Sequence, residues 1–187
     1  MVRELGLGDT ERQLRELALT LDRSRFQPHV GCFCPDGLRG EELRAAQIPI
    51  VRFPVRSFYA PSTICAAREM GEYLRRYHIQ LVHTFDVPFN LFGVPTARAY
   101  RAYRTPVVIS SQRAFRTLSP PMTRPLLQFT DRLADAVVVN CQALRQHLVE
   151  DERVPPELVH VYYNGIHTSC FRPLHARRVP AFATGPS

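Results

Sequence analysis

The sequence predicts an α/β fold with a doubly wound parallel sheet, and three observations predict it. Short apolar runs alternate with longer segments of helical period along the whole chain. Runs such as "PVVIS" and "AVVVN" are continuously apolar and β-branched, the pattern of strands covered on both faces by helices. The intervening helices supply the right-handed crossovers that a parallel sheet requires.

The elements follow in order. "TERQLRELALTL" places Leu14, Leu17, Ala18 and Leu21 at helical spacing, and Thr10 followed by Gln13 reads as a capping box. "HVGCFCP" is a strand ended by proline, "EELRAAQ" a short helix and "IPIVRFPV" an extended segment. "STICAAREMGEYLRRYH" is helical, with Ile64, Ala67, Gly71 and Leu74 on one side. "IQLVHTF" is a strand, and "PFNLFGVPTARAYRAY" is a helix interrupted at Pro95. "TPVVISSQ", "PLLQFTDRLAD", "AVVVN", "QALRQHLVE" and "LVHVYYNG" continue as strand, helix, strand, helix and strand. The proline-rich connection "RAFRTLSPPMTRP" is a candidate mobile loop over a cleft. The opening strand is short or missing: only "MVRELGL" precedes Gly8, and Arg3 and Glu4 would be costly in the centre of a sheet.

With 187 residues, the chain can build one domain. Residues 1–173 are assigned to it, and 174–187 are expected to form a disordered tail. No run of eighteen apolar residues is present, and the charged N-terminus lacks a signal-peptide core. The expected setting is cytoplasmic, with peripheral contact at the inner membrane face left open: Arg68, Arg75 and Arg76 could meet anionic lipid or simply form a solvated helix face.

Net charge is +7, and all 24 basic residues are arginine. They are scattered, which argues against a nucleic-acid stripe. Five cysteines without a C-x-x-C pair, and without further ligands at zinc spacing, read as buried thiols rather than a metal site.

Ligands of open parallel sheets bind at the carboxyl ends of the strands. The first such place is "GLGDTER", where Gly6 and Gly8 precede a helix N-terminus that can receive an anion or a sugar hydroxyl. Glu11 stands in the third glycine position of G-x-G-x-x-G, so a plain tight turn competes with a binding loop. "LVHTFD" puts His83 and Asp86 at a rim, where the histidine is either functional or satisfied by a neighbouring loop. "ISSQR" adds Ser111 and Arg113, the latter able to grip a phosphate or to stand solvated. "VVVNCQ" adds Asn140, a rim residue or a helix N-cap. There is no nucleophile elbow and no evident carboxylate pair.

"GDTERQLRELALTL", "LVHTFD", "DAVVVNCQALRQHL" and "VYYNGIHTSCFRP", in this order, resemble the amino-terminal domain of family 4 glycosyltransferases of GT-B architecture. The resemblance implies transfer of a sugar from a nucleotide-sugar co-substrate, with no bound cofactor or metal. Gly8 matches the family's glycine turn, beside which the acceptor is expected; with the rim positions Asp9, Thr10, Asp86, Ser111, Arg113 and Asn140 it is assigned to the cleft where a sugar or lipid-linked acceptor would sit. His83 matches the cleft histidine expected to contact the transferred sugar, and is the catalytic candidate. Asn164, Gly165, Phe171 and Pro173 match the link to a carboxy-terminal donor domain. The departures are Asp9 where a second glycine is common, His167 where aspartate is preferred, the stunted first strand and the lack of a donor domain in these 187 residues. The isolated chain is therefore expected to be incomplete and to show negligible transferase activity. The alternative is a non-catalytic module that docks a separate donor-binding chain.

Overall fold

The computed structural model describes residues 1–100, 106–118 and 120–165. Seven parallel strands alternate with helices: β1 (Val2–Glu4), α1 (Asp9–Thr20), β2 (Val30–Cys34), α2 (Leu38–Ala45), β3 (Ile50–Arg52), α3 (Ser62–Arg76), β4 (Leu81–Thr84), α4 (Val87–Ala99), β5 (Val107–Gln112), α5 (Thr123–Leu133), β6 (Ala136–Val139), α6 (Gln142–Gln146) and β7 (Val159–Val161). A π-helical turn, His147–Asp151, continues α6.

The strands form two ladders, β1-β2-β3 and β4-β5-β6-β7. Met1 stitches them together: its amino group donates to the His83 carbonyl at 2.6 Å, and Phe85 N–H donates to the Met1 carbonyl at 2.9 Å. The spatial order is thus β3-β2-β1-β4-β5-β6-β7, doubly wound, with its topological switch between β1 and β4.

The first strand is present but only three residues long. Arg3 avoids the expected penalty because β1 meets only the end of β4. By Arg3 the chain has passed that end, its N–H donates to Asp86 Oδ2 at 2.6 Å, and its side chain is exposed.

α1 and α2 cover one face of the sheet, where Leu14, Ala18 and Leu43 pack with Val2, Val30, Cys32 and Phe85. α3 and α4 cover the other, where Met70, Leu74, Phe89 and Phe92 pack with Phe33, Phe53, Val82 and Val108. A third cluster joins α6 to β6 and β7 through Val137, Val139, Leu144, Leu148 and Val159.

Three local expectations change. α3 buries Ala66, Met70, Gly71 and Leu74 and leaves Ile64 exposed, so its inner stripe is rotated from the Ile64–Ala67 line. Gly71 belongs on that stripe because a Cβ there would enter the Tyr100 ring. α4 runs through Pro95 without a break. Proline costs it one backbone donor, and dense packing of Phe92, Val94 and Ala97 offsets that loss. At α1 the N-cap is Gly8, with no side-chain cap, and Thr10 lies inside the helix rather than at its start.

The connection from β5 to α5 is anchored. It contains a 3₁₀ turn, Arg116–Leu118, and the Arg116 side chain is buried against Asp131 and Glu152. Among the described residues, no helix is long and apolar enough to cross a membrane. The expected tail and the link residues Phe171 and Pro173 lie outside the described residues.

Candidate functional site

At the switch between β1 and β4 the carboxyl ends of the strands come together, the place where open α/β sheets receive ligands. His83, next to last in β4, stands there partly buried. Its Nε2 lies 2.8 Å from Ser111 Oγ on β5, and its ring packs on Phe85 with centroids 4.2 Å apart. Burial first, then the Met1 ammonium and Arg113, push its pKa down to about 3. The imidazole is therefore neutral at physiological pH.

Ser111 is itself held from behind. Asn90 Nδ2 on α4 donates to the Ser111 carbonyl at 2.9 Å, and Thr84 Oγ1 donates to Asn90 Oδ1 at 2.5 Å. Both Thr84 and Asn90 are fully buried. A buried amide with good partners orients its neighbours rigidly. In the sequence Asn90 gives one visible signal, a lone amide inside the apolar run "PFNLFGV".

Beside His83, Arg113 reaches across the rim. Its Nη2 donates to Asn164 Oδ1 at 2.6 Å and lies 3.5 Å from Asp9 Oδ2. Asn164 Nδ2 stands 3.3 Å from that same Asp9 oxygen, and Gln13 Nε2 donates to the Gly165 carbonyl at 3.0 Å. The start of α1, the end of β5 and the turn after β7 are thereby tied together. Gln13 thus serves this tie rather than a capping box.

The remaining candidates are placed as follows. Asp86 caps α4, accepting from Phe89 N–H at 2.9 Å through Oδ1 while Oδ2 takes the Arg3 N–H. Both oxygens thus serve the fold, and burial raises its pKa. Asn140 lies one residue before the N-cap of α6, which is Cys141, and its Oδ1 is buried with no hydrogen-bond partner among the described residues. Gly6 has open space around it, whereas Gly8 lies under the Glu11 carboxylate. Among the described residues, no group of three or more His, Cys, Asp or Glu side chains is arranged to hold a metal ion. An apolar groove lined by Phe58, Ile64, Ala67, Leu91 and Pro95 lies between α3 and α4, away from the strand ends.

The family pattern described as Glycosyltransferase Family 4 matches residues 10–169. The chain belongs to glycosyltransferase family 4. No curated protein matches it at a significant level. Its fold is that of a GT-B amino-terminal half, similar to several solved structures. Anabaena Alr3699/HepE in complex with UDP and glucose is 20% identical, with a TM-score of 0.67 over 90% of this chain and 45% of that one. A glycosyltransferase from Rickettsia africae is 15% identical, with a TM-score of 0.68 over 95% and 45%. The lipopolysaccharide outer core galactosyltransferase WaaB, in its apo form, is 11% identical, with a TM-score of 0.66 over 89% and 46%. This family 4 chain therefore spans a little under half the length of those structures.

Proposed function

We propose that this chain forms the acceptor-side wall of a glycosyltransferase that moves a sugar from a nucleotide-sugar donor to an acceptor hydroxyl. The observation that carries the reading is a neutral histidine, His83, held at the switch point of a family 4 fold. The anchoring of Arg113 and Asn164 beside it supports the same reading.

A ring whose pKa is about 3 does not act as a proton donor near neutral pH. In this reading His83 binds and orients the transferred sugar by hydrogen bonding. Stabilisation of the departing nucleoside diphosphate requires preorganised donors, which the reading assigns to a carboxy-terminal donor domain. Gly8, Asp9 and Thr10 at the start of α1, with Ser111 and Asn140 behind the rim, form the acceptor side. Asn164 and Gly165, with Phe171 and Pro173 beyond, lead towards the donor domain. The acceptor in this reading is a sugar or a lipid-linked acceptor. A cytoplasmic setting with peripheral contact at the inner membrane face belongs to the same proposal, and nucleic acid does not.

Ligand-observed NMR on the purified chain tests it. Oligosaccharides are expected to bind weakly, and His83→Ala to abolish the signal. Incubation with nucleotide sugars is expected to give no turnover approaching about 1 per second, the low end of ordinary enzymes. Tight binding of free nucleotides by this chain alone, with no glycan binding, would overturn the assignment.

A further inference from the structure

The hydrogen-bond chain behind His83 constrains where its proton sits. Ser111 is 2% exposed, and among the described residues its Oγ has one partner, His83 Nε2 at 2.8 Å. A serine hydroxyl carries one hydrogen and can donate once. If Nε2 were protonated and donated to Oγ, that buried hydroxyl hydrogen would have no acceptor. If Ser111 donates to Nε2 instead, the hydroxyl is satisfied and the imidazole proton resides on Nδ1. His83 Nδ1 has no partner among the described residues, which leaves it available to a ligand.

The geometry around the pair holds this arrangement. Asn90, fully buried, clamps the Ser111 carbonyl and is itself oriented by Thr84. Burial, together with the positive Arg113, disfavours a charge on the ring, so it stays neutral and has a tautomer to be set.

We propose that Ser111 is a positioning residue that sets the tautomer of His83, so that the ring presents Nδ1–H as a hydrogen-bond donor at the switch point. Ser111 then does not touch the ligand; it acts through the imidazole. A fixed donor selects an acceptor oxygen and makes the ring unable to serve as a base towards it. That this oxygen belongs to a sugar rests on the transferase reading; the tautomer does not.

Long-range proton–nitrogen correlation NMR on histidine-labelled protein, between about pH 5 and 8, reads the tautomer directly. The native chain is expected to show His83 protonated at Nδ1 and unprotonated at Nε2. In Ser111→Ala the donor to Nε2 is gone, and the proton is expected to move to Nε2, the form histidine prefers in water. Ser111→Thr keeps the hydroxyl and is expected to restore Nδ1–H. A native ring protonated at Nε2, or a Ser111→Ala ring still protonated at Nδ1, would overturn the assignment. Should Ser111→Ala not fold, the native spectrum and that of Ser111→Thr decide it. Failure of glycan binding would sink the transferase reading and leave this result standing; a wrong tautomer would do the reverse.

Discussion

Arg113, one residue past β5, donates to Asn164 Oδ1 at 2.6 Å although the two are 51 residues apart. Asp9 at the start of α1 completes the triangle. The Arg113 side chain is largely shielded and burial lowers its pKa, whereas Asp9 is half exposed. The neutral acceptor therefore matters more than the ion pair, because exposed ion pairs contribute little. In a double-mutant cycle on urea unfolding, Arg113→Ala and Asn164→Ala are expected to couple by about 1 kcal/mol. Asp9→Ala should change stability by less than about half that. Additive losses for the Arg113–Asn164 pair would show that the contact does not hold the rim.

Arg116 makes a different kind of contact. Its side chain is 1% exposed, paired with Asp131 and lying 3.6 Å from Glu152, which Arg124 and Gln128 also engage. Removing one member of a buried ion network strands the rest, so Arg116→Met is expected to cost about 3–5 kcal/mol. Replacing Arg116, Asp131 and Glu152 together by apolar residues of similar volume should recover most of that loss. Burial already raises the pKa of Asp131. The Arg116→Met defect should accordingly shrink at acid pH, where that carboxyl takes up a proton. Chemical denaturation at two pH values reads both effects.

The Met1 amine predicts a pH dependence. Burial pushes its pKa from 8.0 down to about 5. Between those values the unfolded chain binds more protons than the folded one, so stability rises as pH rises from about 5 to 8. The full swing is on the order of 4 kcal/mol. His83, shifted from 6.5 to about 3, acts in the same sense at lower pH. Asp86 and Asp131, raised from 3.8, act in the opposite sense as pH climbs from there. Nα-acetylation of a chain beginning at Met1 isolates the amine: it keeps an N–H for the His83 carbonyl and removes the charge. The acetylated chain should lose the rise between about pH 6.5 and 8 in urea midpoints. An unchanged slope would show that the amine is solvated.

Asp86 ties β1 to α4 through two backbone N–H groups. Asp86→Ala is expected to cost about 1–2 kcal/mol, the upper range for loss of an N-cap. It should also speed amide hydrogen exchange at Arg3 and Phe89, while Asp86→Asn, which can still cap, should retain the Phe89 protection. Equal exchange in all three proteins would remove the cap from the account.

Much of this molecule was legible in its sequence because the relevant physics is local. β-branched apolar runs are strands buried on two faces, and the period of the intervening segments makes them crossover helices. His83, Ser111, Arg113 and Asn140 reach the strand ends because each closes or follows such a run. Family membership was legible for the same reason: its motifs are short and ordered along the chain. Where several weak local preferences compete, packing decides. α3 turns Met70 inward and Ile64 outward because the Tyr100 ring leaves room only for Gly71 beside it. α4 continues through Pro95 because its neighbours bury it on nearly every side.

Only the tertiary structure decided what the rim residues do. No local rule pairs Met1 with His83, 82 residues away, or Arg113 with Asn164. Those contacts arise because a doubly wound sheet brings its first strand beside its fourth and gathers the strand ends at one edge. The sequence by itself determined which residues arrive at that edge. The structure decided that Asp86 is a helix cap, that Arg116 is a buried anchor and that His83 is neutral. Hydrogen-bond partners and burial fix those roles, and both are properties of the folded neighbourhood rather than of the chain.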